Sequence, residues 1–274
     1  CRATHGPAAM PRTTELSVVV PTYDEVDNIR PLTERLFAAT KKAELTADLL
    51  IMDDESKGTP QTEKIVAELQ NEGYPVKIHV RRKGEGRGLS SAVLLGFEKA
   101  KYSTVMCMDA DLQHEPESVP AVADPVLNGD GDFSVGSRNV DGGEVAGWTL
   151  TRKIISKGAT LLALPLTTCT DPMSGFFCIG KKTLEVGHAK CNPVGFKIGL
   201  ELMVRCRCKK VVDVPITFRD RVAGESKLSM KQNVLYLQQL VALYLDMYLV
   251  PIVLLVLLVL YILYYIAKEV LGLL

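Results

Sequence analysis

From Met247 to Ala267 the chain carries no charged side chain, a run of 21 residues. At about 1.5 Å of rise per residue a helix of that length covers about 31 Å, the hydrocarbon thickness of a bilayer. Ile252 to Leu260 is apolar on every helical face. The segment therefore reads as a transmembrane helix rather than a core helix. Tyr244, Tyr248, Tyr261, Tyr264 and Tyr265 gather at its two ends, as interfacial aromatics do. Lys227 and Lys231 precede it and fit a cytosolic flank. The stretch before it, Met230 to Leu245, alternates apolar and polar residues at helical spacing, which predicts an amphipathic helix in the membrane plane. The expected division is an N-terminal segment 1–15, a main domain 16–228, an interface helix 229–246, and a single-pass anchor with a short tail over 247–274.

The main domain alternates. Leu16 to Val20, Leu49 to Met52, Val76 to Val80, Thr104 to Met108 and Asp132 to Val135 are short apolar runs read as buried strands. Val26 to Thr40, Gln61 to Gln70, Leu89 to Ala100 and Glu117 to Leu127 read as the helices between them. Such alternation builds a mostly parallel, Rossmann-like α/β sheet flanked by helices, with ligands beyond the carboxyl ends of the strands. After Arg138 the rhythm weakens to a helix near Arg152 to Leu164, a loop at Thr167 to Gly175, a helix near Ile198 to Cys206 and a strand Val211 to Phe218. This half is expected to complete the site and meet a second substrate.

Acidic and basic residues balance at 32 each, which argues against a nucleic-acid partner. The seven cysteines form no CxxC pair and no evenly spaced framework, so reduced thiols are expected and a zinc site is not. Cys1 to Glu15 lacks an apolar h-region and is not read as a secretory signal peptide.

The strand ends carry the chemistry. Asp109 and Asp111 lie two apart after a strand, so both side chains project to one side while Ala110 takes the other. Two carboxylates so placed can hold a hard divalent cation, Mg²⁺ or Mn²⁺, that bridges to phosphate, and Gln113 can add a neutral oxygen. Asp130-Gly131-Asp132 repeats the spacing but precedes its strand in a turn, and reads as a loop. Asp53 and Asp54 end an earlier strand, where a carboxylate can accept from a base or ribose. Lys83 to Gly88 lacks the spacing of a dinucleotide fingerprint and reads as a flexible cationic loop. Arg138, Arg152, Arg221 and Lys227 are candidate phosphate clamps. No histidine receives a role, although His114 follows the acidic cluster.

Taken together, Val20-Pro21-Thr22-Tyr23-Asp24-Glu25, Met52-Asp53-Asp54, Arg87 to Ala92, Met108 to His114, Gly136-Ser137-Arg138, Asp171 to Phe177 and Phe218 to Leu228 resemble the dolichyl-phosphate mannose synthases of the inverting family 2 glycosyltransferases. The resemblance implies a nucleotide-sugar glycosyltransferase A-type fold over 16–228, and mannose transfer from GDP-mannose to dolichyl phosphate for protein glycosylation and GPI-anchor precursors. It implies that Pro21, Tyr23, Glu25, Met52, Asp54 and Ala110 contact the donor, that Asp109, Asp111 and Gln113 hold Mg²⁺ or Mn²⁺, and that Arg138, Arg221 and Lys227 bind phosphates. Arg152 and Ser226 would face the acceptor phosphate. It further implies an endoplasmic reticulum membrane with the catalytic domain cytosolic, or the plasma membrane in a prokaryote, and no accessory subunit. A polyprenyl-phosphate glucosyltransferase using UDP-glucose is the alternative. The family usually has Asn where Asp24 stands, and its loop after the Asp pair is one residue longer than Ser56-Lys57-Gly58-Thr59.

Overall fold

A computed structural model describes residues 13–82, 84–145, 150–193, 195–219 and 230–271. Strands β1 (Glu15–Thr22), β2 (Thr46–Asp53), β3 (Val76–Val80), β4 (Thr104–Cys107) and β5 (Phe133–Ser137) appear where the apolar runs predict them. Between them stand α1 (Val26–Lys42), α2 (Thr59–Asn71), α3 (Leu89–Lys99) and α4 (Val119–Leu127). Later come β6 (Glu144–Val145), α5 (Leu150–Ala163), β7 (Phe177–Gly180), α6 (Lys181–Glu185), α7 (Ile198–Arg205), β8 (Val211–Pro215), β9 (Thr217–Phe218) and α8 (Met230–Leu271).

The main sheet has the order β3-β2-β1-β4-β7-β5-β8, and β6 pairs with β9 apart from it. From β1 the chain moves outward to β2 and β3, then returns to place β4 on the other side. That reversal opens a crevice at the carboxyl ends of β1 and β4, the position where open α/β sheets bind ligands. Successive side chains of β1 divide between the two faces: Leu16, Val18 and Val20 join a core with α1, α2 and α4, and Val19 joins a core with α3, α7 and α8. Strands buried on both faces have no polar alternation, which is why they read as continuous apolar runs.

Three features depart from the sequence expectations. β7 runs antiparallel between β4 and β5; three buried residues, Phe177 to Ile179, directly after the buried Phe176 show no period that would mark a separate strand. The strand expected over Val211 to Phe218 splits after Pro215. Proline has no N–H to continue the ladder, and Thr217 and Phe218 turn to pair with Glu144 and Val145. The amphipathic stretch and the apolar run form one unbroken helix, α8, instead of a separate interface helix followed by an anchor.

The first half of α8 packs on the domain. Leu240 and Leu243 are buried, and the hydroxyls of Tyr236, Tyr244 and Tyr248 donate to the carbonyls of Ala159, Leu162 and Pro165 at 2.6, 2.9 and 2.5 Å. Arg205 and Arg207 reach Asp246 at 3.1 Å each. From Leu249 to Ile266 every residue is exposed, and the helix is long and apolar enough to cross a membrane.

Candidate active site

A cavity of about 550 Å³ lies at the β1/β4 crevice, a size that suits a small-molecule ligand. Pro21, Tyr23, Glu25, Asp54, Asp109, Ala110, Asp111, Gln113, Arg138 and Arg152 all line it. The structure therefore gathers ten predicted residues from five separate segments. Met52 is a correction: its side chain is fully buried in the core, and a Cβ on Gly96 would come within 3.0 Å of its Cγ. It packs α3 onto β2 and does not line the cavity. Arg221, Ser226 and Lys227 lie outside the described residues.

Asp53 and Asp54 divide their work. Asp53 is buried and ties three segments together, accepting from Thr22 Oγ1 at 2.9 Å, Thr59 Oγ1 at 2.5 Å and Glu55 N at 3.0 Å. Asp54 reaches the cavity, paired with the Arg81 guanidinium and accepting from Gly88 N at 2.7 Å. Arg81 is fully buried and donates to Ser91 Oγ at 2.7 Å and Gly88 O at 2.9 Å. A buried cation needs partners of this kind, and here they engage both terminal nitrogens while Nε is left without a hydrogen bond. The glycine-rich segment is thus pinned at Gly88, whose φ of 103° is open to glycine at little cost.

The two departures from the family pattern meet in space. Asp24 adopts a left-handed φ of 62°, a conformation that Asp and Asn both tolerate. Its N–H donates to Ser56 Oγ at 3.2 Å, and a Cβ at Gly58 would come within 2.9 Å of its carboxylate. The short loop can lie against the turn from β1 into α1 because it carries that glycine.

Asp111 is buried, whereas the Asp109 side chain is one-third exposed at 33%. Leu112 turns the chain at a φ of 59°, and Gln113 N donates to Asp111 Oδ1 at 3.2 Å. Gly175 brings the loop before β7 against this pair: a Cβ there would stand 2.8 Å from Asp109 Oδ2. Among the described residues no three His, Cys, Asp or Glu side chains converge on one point. Two carboxylates and an amide at a cavity edge still fit Mg²⁺ or Mn²⁺, which complete their shell with phosphate oxygens and water. The second acidic pair differs, since Asp132 accepts from Lys209 N and Lys210 N at 3.0 Å and closes a turn.

His114 is buried between Phe176 and Phe218, with ring centroids at 5.3 and 5.1 Å, and its Nδ1 lies 3.6 Å from Asp109 Oδ2. Burial, reinforced by the charge of Arg138, pushes its pKa down to about 4. The unfolded chain takes up the proton near the ordinary value of about 6.5, the folded chain only near 4, so stability falls as pH drops between them. Denaturant titration at pH 7 and pH 5 should show that wild type loses about 2 kcal/mol more than His114→Phe. Equal losses would exclude a neutral buried imidazole.

Arg138 carries a partner that the sequence does not announce. Its Nε and one Nη donate to Asp171 at 2.6 and 2.8 Å, its N–H adds 3.0 Å, and the guanidinium sits 5.0 Å from the Phe218 ring centroid. Burial alone would raise the Asp171 carboxyl, but hydrogen bonds and charge from Arg138 outweigh it and leave it below the usual range. Lys197 also lines the cavity, and burial with the charge of Arg138 lowers its pKa to about 8. Asp171 lies inside a quoted motif without a role there, and Lys197 is one lysine before an apolar run; neither had a local signal that marked it.

The sequence matches the profile of Glycosyl transferase family 2 over residues 17–185. It is 44% identical over 269 residues to the dolichol-phosphate mannosyltransferase of Mycosarcoma maydis, covering 95% of this chain and 90% of that protein. The dolichol-phosphate mannosyltransferase of Saccharomyces cerevisiae is likewise 44% identical over 241 residues, 84% of this chain and 87% of that one. The chain belongs to the dolichol-phosphate mannosyltransferases of glycosyl transferase family 2. A crystal structure of mannosyl-3-phosphoglycerate synthase from Rubrobacter xylanophilus superposes with a TM-score of 0.58 at 17% identity, covering 86% of this chain and 74% of that one. At that identity the likeness speaks for the fold alone. The expected glycosyltransferase A-type fold is the fold found.

Proposed function

We propose that this mannosyltransferase moves mannose from GDP-mannose to dolichyl phosphate with inversion, in the endoplasmic reticulum membrane with its catalytic domain cytosolic, or in the plasma membrane of a prokaryote. One observation carries the reading. The cavity that holds Asp109 and Asp111 is walled further along by Gln232, Tyr236 and Gln239 of α8, the helix that continues into the membrane span. A phosphorylated donor and a lipid-borne acceptor can therefore meet in one space at the membrane surface. The relatives named as dolichol-phosphate mannosyltransferases support the sugar and the acceptor.

A lipid phosphate is anionic near neutral pH, so its oxygen attacks the anomeric carbon with little need of a general base. The bond from that carbon to the diphosphate breaks, and the sugar leaves inverted on the lipid phosphate. Orientation and charge stabilisation supply most of the acceleration. Asp109, Asp111 and Gln113 would hold Mg²⁺ or Mn²⁺, which neutralises charge on the departing diphosphate. Asp54, Tyr23 and Glu25 border the nucleotide side, and Arg138 and Arg152 the phosphates. On α5, whose carbonyls at Ala159 and Leu162 accept from Tyr236 and Tyr244 of α8, Ile154, Leu161 and Leu162 are exposed, which suits contact with the lipid surface.

The test is donor competition. With Mn²⁺ and dolichyl phosphate, GDP should inhibit mannose transfer at concentrations where UDP does not, and UDP-glucose should be a poor donor. Preference for UDP and UDP-glucose would overturn the donor assignment in favour of a polyprenyl-phosphate glucosyltransferase.

A further inference from the structure

Lys197 stands just before α7, with its side chain in the cavity wall. Its Nζ donates to the Met173 carbonyl at 3.0 Å. An ammonium has three N–H donors, so this contact aims the group without exhausting it. It shares the cavity wall with Asp109, Arg138 and Arg152, close enough for their charges and that of Asp171 to act on it.

The backbone at Lys197 is held from the membrane helix. Gln239 Nε2 donates to Lys197 O at 3.2 Å and to Glu201 Oε2 at 2.8 Å. The other Glu201 oxygen accepts from Asn192 N at 2.7 Å and lies 3.6 Å from Arg205 Nε. Glu201 is 1% exposed and Gln239 6%. Anchoring alone requires no polar group here: leucine at 239 would pack the helices without burying an amide and a carboxylate, which are expensive to desolvate. A buried polar seam fixes direction, and what it fixes is the backbone at Asn192 and at the cavity lysine itself.

We propose that Lys197 binds a phosphate group of the reacting substrates and that Gln239, acting through Glu201 and the Lys197 carbonyl, is the positioning residue that holds it there. The inference rests on the transfer reading above. The donor diphosphate and the acceptor phosphate present the same chemistry to an ammonium group, and kinetics separate them.

The experiment uses the full chain in detergent or lipid nanodiscs, comparing wild type, Lys197→Met, Gln239→Leu and the double variant. It measures kcat and the KM of GDP-mannose and dolichyl phosphate, together with Tm. Lys197→Met should lower kcat/KM by about tenfold to a hundredfold, the worth of one charge-assisted hydrogen bond, with Tm close to wild type. A raised KM for GDP-mannose assigns the donor phosphates, and a raised KM for dolichyl phosphate assigns the acceptor; either supports the proposal. Gln239→Leu should lower the same parameter by a smaller factor, and the double variant should be no worse than Lys197→Met. Should Gln239→Leu depress Tm, Glu201→Gln, which keeps size and removes charge, supplies the same cycle. Lys197→Met within twofold of an active wild type, or losses that multiply in the double variant, would overturn the inference. A wild type inactive on these substrates would instead remove the transfer reading on which it stands.

Discussion

Replacing Asp111 by Asn should lower kcat by about a thousandfold or more, on the order of 4 kcal/mol of transition-state stabilisation. The side chain is buried at the cavity edge and its oxygen accepts the Gln113 N–H. The amide keeps size and that hydrogen bond but removes the charge a divalent ion requires. Folding should survive, because a neutral amide is cheaper to bury than a carboxylate. Circular dichroism and Tm should therefore match wild type while Mn²⁺ binding, followed by calorimetry or electron paramagnetic resonance, falls sharply. Near-normal metal-dependent turnover in this variant would remove Asp111 from the ligand set.

Asp171→Asn should act in the opposite sense, through stability first. Its carboxylate is the bidentate partner of Arg138, whose side chain is only 9% exposed. Removing the charge of the bidentate partner of a largely buried guanidinium costs about 3 kcal/mol. The direction with pH follows from the lowered Asp171 carboxyl: the pair's contribution is present above the ordinary carboxylate range and is lost as acid protonates Asp171 in the folded state. Arg138→Met combined with Asp171→Leu should recover most of the stability by removing both charges. It should not recover turnover, because the proposed phosphate-binding guanidinium is gone. Urea denaturation of the single and double variants reads the first effect, and transfer assays read the second. An Asp171→Asn variant as stable as wild type would show that Arg138 finds another partner.

Much of this protein is legible along the chain. The strands β1 to β5 and the helices between them lie within a few residues of their apolar runs, because backbone period and burial are local properties. Position after a strand is also local, and it separates Asp109 and Asp111 from the turn at Asp132. Met52 shows the limit of transfer by motif: its place beside Asp53 and Asp54 is local, but which face its side chain takes depends on the packing of Gly96 from α3.

The sequence alone therefore determined the α/β class, the acidic pair at a strand end and the apolar length that can span a bilayer. The tertiary structure decided the partners. Arg138 and Asp171 are 33 residues apart, Arg81 and Asp54 are joined across neighbouring strands, and Gln239 meets Glu201 across 38 residues. It likewise inserted β7 antiparallel between β4 and β5 and joined the amphipathic and apolar stretches into α8. The reason is physical: hydrophobic period is written into consecutive residues, whereas a buried charge finds its counter-charge only when the chain folds and desolvation makes the pairing obligatory.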